Sequence, residues 1–203
     1  MTGRLGSAAA GAALALAALL PVVPLDAQSR PTRQAAIDAA LLPLPAKLRP
    51  DARVIAYPDD GPVVVLREGS NGMVCAADRA DDDRFDVRCY HESFMPVIER
   101  RRELARERLD WNATAARIDA DVAAGRLQLP ESPTAGYRML GPIAAFDWSR
   151  TRAGPEIARW QSIHFPYKTA AELGLPTEPE GNLPYAMLAG TYWSHVMINA
   201  PPE

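Results

Sequence analysis

The alternation of apolar and polar residues predicts three consecutive antiparallel strands within residues 61–92. Two extended runs, 63–67 and 73–77, flank the tripeptide Ser-Asn-Gly at 70–72, which is typical of a hairpin turn. A third run, 85–91, alternates strictly, which is typical of a strand with one buried face. Its inward side chains are predicted to be Phe85, Val87, Cys89 and His91.

The same pattern predicts further strands on both sides of this stretch. They lie at residues 53–57, 136–140, 157–167, 185–188 and 193–199. From these runs we predict one mostly antiparallel sheet of about six strands. Residues 143–154 fit neither a helical nor an extended pattern, and they are left without an element.

Helical periodicity is concentrated between residues 94 and 124. The first predicted helix covers 94–109, and the second covers 113–124, with Asp110 or Asn112 as its cap and Gly125 as its stop. Shorter helices are predicted at residues 35–42 and 170–173. With the two longer helices packed on one face of the sheet, the chain is expected to be a single α+β domain over residues 35–203.

Arg101 interrupts the apolar stripe of the first long helix. Its stem is apolar, so one interpretation is that the guanidinium group extends to solvent. The alternative is an ion pair with a buried carboxylate such as Glu92, which would make the two residues the first candidates for a catalytic pocket.

The N-terminal residues have the pattern of a signal peptide. Arg4 precedes an apolar run at 8–20, two prolines break it, and Ala27 is placed for cleavage. An uncleaved anchor is the alternative, but the run is short for a membrane span. We expect residues 1–27 to be removed, 28–34 to be a disordered terminus, and the mature protein to be secreted or periplasmic with no membrane attachment.

The charge balance limits the possible partners. The formal net charge is −3, which provides no electrostatic footprint for nucleic acid. Twenty arginines stand against two lysines, a bias typical of a GC-rich bacterial genome. The remaining partners are a small molecule or a protein.

Two cysteines in an exported chain predict one disulfide bond. Cys75 and Cys89 lie on neighbouring predicted strands, so their side chains come within bridging distance if the strands are in register. A redox-active pair is the alternative, but the sequence lacks the Cys-X-X-Cys spacing that lowers a thiol pKa.

No standard catalytic motif is present, and three histidines are the main candidates for chemistry. His91, His164 and His195 all lie on or next to predicted strands, so the sheet offers a way to bring them together. With Glu92 as a further ligand or base, they predict a zinc or iron site with an open position. Three separate structural roles are the alternative. The sequence indicates no other cofactor.

Two weaker constellations remain. Arg67, Glu68 and Glu92 are candidates for a polar pocket at the strand ends. The alternative is that these residues are charged only because strand ends are exposed to water. The C-terminal third is rich in aromatic residues, which indicates either a ligand cleft or core packing. These aromatic residues are Trp160, Tyr167, Tyr185, Tyr192 and Trp193.

Two stretches carry a resemblance to other proteins. The run NGMVC…CYHES at residues 71–93, together with GLP…GNLPYAMLAGTYWSHVMI at 174–198, resembles exported bacterial proteins of unknown function. The resemblance implies an exported domain and assigns no site residue. We therefore expect a non-enzymatic binding or interaction protein, with a metal-dependent hydrolase using the three histidines as the alternative.

Overall fold

One mixed sheet of eight strands organises the part of the chain that the computed structural model describes, residues 31–58, 61–79 and 82–199. The predicted signal peptide lies outside the described residues, and so do residues 28–30 of the predicted disordered terminus. Within the described ranges, no helix is long and apolar enough to cross a bilayer.

The sheet contains more strands than the predicted six, because every extended run of the sequence joins it. In chain order its strands are β1 Arg53–Ala56, β2 Val64–Arg67, β3 Met73–Ala76, β4 Arg84–His91, β5 Thr134–Pro142, β8 Ala158–His164, β9 Tyr185–Met187 and β10 His195–Asn199. Their order across the sheet is β2-β1-β3-β4-β5-β8-β10-β9. The segment that fitted no pattern forms a separate two-stranded ribbon, β6 Phe146–Asp147 and β7 Arg152–Ala153.

The predicted hairpin between β2 and β3 is wrong. β1 lies between the two strands, antiparallel to β2 and parallel to β3, so the connection must cross the start of β1. It passes very close there: a Cβ atom on Gly69 would lie 2.2 Å from the backbone nitrogen of Arg53. The backbone N–H groups of Ser70 and Asn71 donate to the Asp51 carbonyl at 2.8 and 3.2 Å and fix the crossing.

The described residues contain four α-helices, close to the two long and two short helices predicted, but the first of them lies on the opposite face of the sheet from the two long ones. They are α1 Arg33–Leu41, α2 Met95–Arg106, α3 Trp111–Ala123 and α4 Ala170–Leu173. Asp110 caps α3 by accepting from the N–H of Ala113 at 2.8 Å. Thr169 and Glu172 form a capping box at α4.

The two faces of the sheet carry separate cores. On one face, α1 packs over the middle strands and covers the Cys75–Cys89 disulfide bond. The bonded cysteines are directly opposite in the β3–β4 register, with Cα atoms 4.0 Å apart, which confirms the predicted bridge. On the other face, α2 and α3 pack through an aromatic core that includes Phe94, Tyr192 and Trp193. The α+β class is also confirmed, and the second face holds the candidate site.

Candidate functional site

A cleft of about 580 Å³ lies between α2 and the strands β1, β3 and β4. We call it the arginine cleft. Its apolar lining includes Ile55, Val74, Ala76, Met95, Ile98, Ala105 and Leu109. Its charged lining consists, among the described residues, of Arg79, Arg84, Arg88, Arg101, Arg102, Asp78, Asp82 and Asp86.

Two simple periodicities build this cleft. Side chains alternate along β4, so the charged residues Arg84, Asp86 and Arg88 share the face opposite the buried Cys89. On α2, spacings of three and four residues bring Ile98, Arg101, Arg102 and Ala105 to the side that faces the sheet. The charges on β4 therefore form the floor, and α2 forms the roof.

One carboxylate on the floor holds three arginines. Asp86 accepts from Arg138 at 2.9 and 2.8 Å, from Arg88 Nε at 2.8 Å, and from Arg84 at 3.4 Å. Burial alone would raise the pKa of the Asp86 carboxyl, but hydrogen bonds from Arg88 and Arg138 outweigh it and hold the pKa well below its usual range. Asp86 is thus ionised, and it neutralises only one of the three positive charges around it.

Arg101 stacks on tryptophan rings. Its guanidinium carbon lies 4.1 Å from the ring centroid of Trp193 and 5.6 Å from that of Trp111. Its Nε atom is buried and has no hydrogen-bond partner. Glu92, the carboxylate predicted as an alternative partner, is exposed in the short 3₁₀-helix that precedes α2. The guanidinium is therefore held by cation–π contacts.

Arg102 stacks on the opposite side of the cleft. Its guanidinium carbon lies 3.7 Å from the ring centroid of Tyr57, which follows β1. Burial lowers the pKa of Arg102 and raises the pKa of Tyr57 to about 12, so the phenol stays protonated. Among the described residues, neither Arg101 nor Arg102 forms an ion pair with a carboxylate.

The described lining of the cleft carries more arginines than aspartates, although the whole chain is acidic. Five arginines stand against three aspartates in its described part, a formal excess of two positive charges. The whole chain, in contrast, carries −3. Walls of low dielectric around such a cluster strengthen its electric field.

Two of the three candidate histidines meet at the edge of the aromatic core. The rings of His164 and His195 stack with their centroids 5.0 Å apart, on directly paired positions of β8 and β10. His164 is only 2% exposed, and its Nε2 lies 3.2 Å from the Ser162 hydroxyl. Burial, with smaller contributions from His195 and Arg101, lowers the pKa of His164 to about 3. The ring is therefore neutral at physiological pH.

The third histidine has a local role. His91 ends β4, and its Nδ1 accepts from the N–H of Ser93 at 3.3 Å, which caps the short 3₁₀-helix. The Ser93 hydroxyl lies 2.9 Å from the same nitrogen. The described residues contain no group of three histidine, cysteine or acidic side chains placed to bind a metal ion. The three-histidine zinc or iron site is therefore not assembled there.

The other candidates are also dispersed. Arg67 donates to the backbone carbonyls of Arg49 and Ala52, and Glu68 pairs with Arg53 at 3.5 Å on the surface. Of the aromatic residues, Tyr192 and Trp193 belong to the core. The ring centroid of Trp160 lies 5.6 Å from the guanidinium carbon of Arg138. The Tyr167 hydroxyl donates to Asp119 at 2.7 Å, and Tyr185 is half-buried in β9.

Sequence reasoning missed the charged floor of the cleft, although the signal was present. The alternation that turned Cys89 inward necessarily turned Asp86 and Arg88 to the other face, where α2 now covers them.

The arginines of the cleft are suited to bind an anion. Arginine N–H groups donate to carboxylate, sulfate or phosphate oxygens in fixed geometry. The described lining also contains Thr114 and three aspartates. No known protein family, curated protein or solved structure matches this chain.

Proposed function

We propose that this protein is an exported, non-enzymatic binding domain whose arginine cleft holds a small organic anion. The volume of about 580 Å³ is in the range of small-molecule sites. The apolar walls supply contact area, and the arginines supply charge and orientation.

One observation carries this proposal: Arg101 and Arg102 lie over aromatic rings inside the cleft with no carboxylate partner among the described residues. Partial burial of a positive charge is unfavourable unless an opposite charge accompanies it. The aromatic faces offset only part of this cost, about 0.5–2 kcal/mol per contact. A bound anion supplies the missing partner for both guanidinium groups.

The exported location remains part of the proposal. It rests on the signal-peptide pattern of residues 1–27 and on the buried Cys75–Cys89 disulfide bond, which persists in an oxidising compartment. A periplasmic or secreted binding protein meets its ligand outside the cytoplasm.

Isothermal titration calorimetry of the purified protein tests the binding function. We expect octanoate and octyl sulfate to bind, and octylamine, which has the same chain but a positive charge, to show no heat of binding. The double variant Arg101→Met, Arg102→Met keeps the apolar stems and removes both charges. Each charge-assisted hydrogen bond contributes about 1.5–3 kcal/mol, so this variant should bind the two anions at least about tenfold more weakly.

The matched control is the double variant Arg106→Met, Arg117→Met, which removes one exposed arginine of α2 and one of α3, both outside the cleft. It should bind both anions like the unaltered protein. If both double variants lost the same affinity for the anions, the loss would come from the change in net charge alone and the cleft would not be the binding site. Equal binding of octylamine would contradict the anion preference.

A further inference from the structure

The two arginines without a carboxylate partner lie at opposite sides of an apolar strip. Arg102 extends toward Tyr57, next to the end of β1, and Arg101 extends toward Trp193, whose ring lies 6.2 Å from that of Tyr90 on β4. β3 lies between β1 and β4 in the sheet. Because neighbouring strands are about 4.8 Å apart, β1 and β4, the strands nearest to these two ring contacts, are roughly 10 Å apart, which sets the scale of a ligand that reaches both arginines.

The strip between these two poles is apolar on the roof and along β3, while Arg88 of β4 adjoins it beside Ala76. On the roof, Ile98 and Ala105 precede and follow the two arginines by one helical turn and line the cleft with them. On the floor, Val74 and Ala76 alternate onto the same side of β3, and Ile55 adjoins Ala76 in the β1–β3 register. A ligand that spans both arginines must therefore cover apolar surface between them.

From this arrangement we infer that the bound anion, whose existence rests on the proposed function, is an elongated molecule with an acid group at each end and an apolar middle. One acid group pairs with Arg101 and the other with Arg102. The simplest members of this chemical class are α,ω-dicarboxylates.

A single-headed acid would leave one of the two guanidinium groups without a counter-charge. The floor cluster does not supply the second counter-charge, because Asp86 already accepts hydrogen bonds from Arg84, Arg88 and Arg138. The ligand and the cleft are thus complementary in charge as well as in the position of their apolar parts.

Calorimetric titration with adipate, suberate, sebacate and decanoate tests this inference. Affinity should rise with the length of the dicarboxylate, by roughly fourfold for each methylene group that becomes buried, until both arginines are reached. Sebacate and decanoate have the same number of carbon atoms and differ by one acid group. Sebacate should bind at least about tenfold more tightly, the effect of one additional charge-assisted pair.

Two single variants test whether each arginine pairs with one of the two acid groups. Arg101→Met and Arg102→Met should each reduce the affinity for sebacate to about that for decanoate, because either change removes one of the two pairs. Decanoate affinity should fall by only about twofold, since a single acid group retains the other arginine. Arg106→Met, on the same helix but outside the cleft, should change neither value, and melting temperatures verify that the variants are folded.

The possible failures are distinct. If sebacate and decanoate bind equally and both depend on the two arginines, the two-ended ligand is wrong while the anion-binding function stands. If none of the four acids binds the unaltered protein, the inference and the proposed function fall together.

Discussion

At the scale of single residues, His91 shows how a candidate for chemistry serves local structure instead. The ring accepts from the N–H of Ser93 at the first turn of a short helix, a role that asparagine and aspartate fill in other helices. Its edge packs on Gly72, whose missing side chain leaves the room: a Cβ atom there would lie 2.9 Å from His91 Nε2.

This geometry predicts an order of tolerance at position 91. His91→Asn keeps an acceptor for the Ser93 N–H and should cost less than about 0.5 kcal/mol, because asparagine is a favourable N-cap. His91→Leu leaves the N–H without its acceptor and should cost about 1 kcal/mol or more. Urea unfolding followed by tryptophan fluorescence measures both values.

Metal ligation makes the opposite prediction for the same pair of variants. It requires both substitutions to remove a bound metal, which elemental analysis of the purified proteins detects. Equal stability of the asparagine and leucine variants would contradict the capping role.

The partners of Arg101 could not be predicted from the sequence of its own helix. The apolar stripe of α2 marked it as unusual, but the stripe contains no information on which side chains lie opposite. Its actual partners are Trp193, from the segment before β10, and Trp111, at the start of α3. These contacts exist only once the helices are docked on the sheet.

At the scale of elements, the crossing of β1 by the β2–β3 connection is the most constrained point of the sheet. The atoms nearest to a Cβ on Gly69 would all be backbone: Arg53 N at 2.2 Å, Ala52 C at 2.5 Å and Asp51 O at 2.6 Å. Arg53 is the first residue of β1, and Asp51 and Ala52 directly precede it, so these atoms cannot move aside without disturbing the pairing of β1.

We therefore predict that Gly69→Ala is among the more damaging small substitutions in this protein. It should lower the free energy of unfolding by about 3 kcal/mol or more, as overpacking of a rigid site does. The control is Gly125→Ala, where φ is +68° but no atom lies within 4 Å of the added carbon, so only about 1 kcal/mol of backbone strain is expected. Urea unfolding of both variants makes the comparison. A smaller loss at Gly69 than at Gly125 would show that the crossing is looser than described.

The same crossing explains what the sequence did and did not predict. Each strand of the eight-stranded sheet overlaps an extended run, because period-two alternation is a local property. The order of the strands is not local. A Ser-Asn-Gly turn between two β-branched runs favours a hairpin, but β1 displaces β2 from β3 through contacts between distant parts of the chain.

The candidate site was predictable to the same extent. The charged face of β4 follows from alternation, and the placement of Arg101 and Arg102 on one side of α2 follows from helical spacing. That these two surfaces enclose a cleft depends on how α2 lies across the sheet. The aromatic core around Phe94, Tyr192 and Trp193 determines that placement, and its members come from distant parts of the sequence.

At the scale of the whole molecule, the residues proposed to bind the ligand and the buried residues that titrate lie in different places. The arginines of the cleft lie on one side of α2, while the neutral pair His164 and His195 lies within the adjoining aromatic core. Burial lowers the pKa of both histidines below the ordinary value of about 6.5. Their protonation therefore bears on the folding equilibrium.

The sign of the resulting pH dependence follows from linkage. The unfolded chain takes up protons on these histidines as the pH falls through about 6.5, whereas the folded protein keeps His164 neutral down to about pH 3. The stabilising contribution is complete above pH 6.5 and is lost progressively below it. The carboxyls with lowered pKa values, such as Asp86 and Asp121, act in the same direction but only below about pH 4, where they titrate in the unfolded chain.

We therefore predict that the free energy of unfolding falls between pH 6.5 and pH 4.5, by up to about 1.4 kcal/mol per pH unit for each buried histidine. His164→Phe should make this dependence clearly shallower, because only His195 then contributes. The matched control is Phe94→Leu, which alters a ring 4.4 Å from that of His164 without removing a titrating group. It should lower stability at every pH and leave the slope unchanged. Urea unfolding at half-unit pH steps measures the slopes, and an unaltered slope in His164→Phe would show that His164 is not the group responsible.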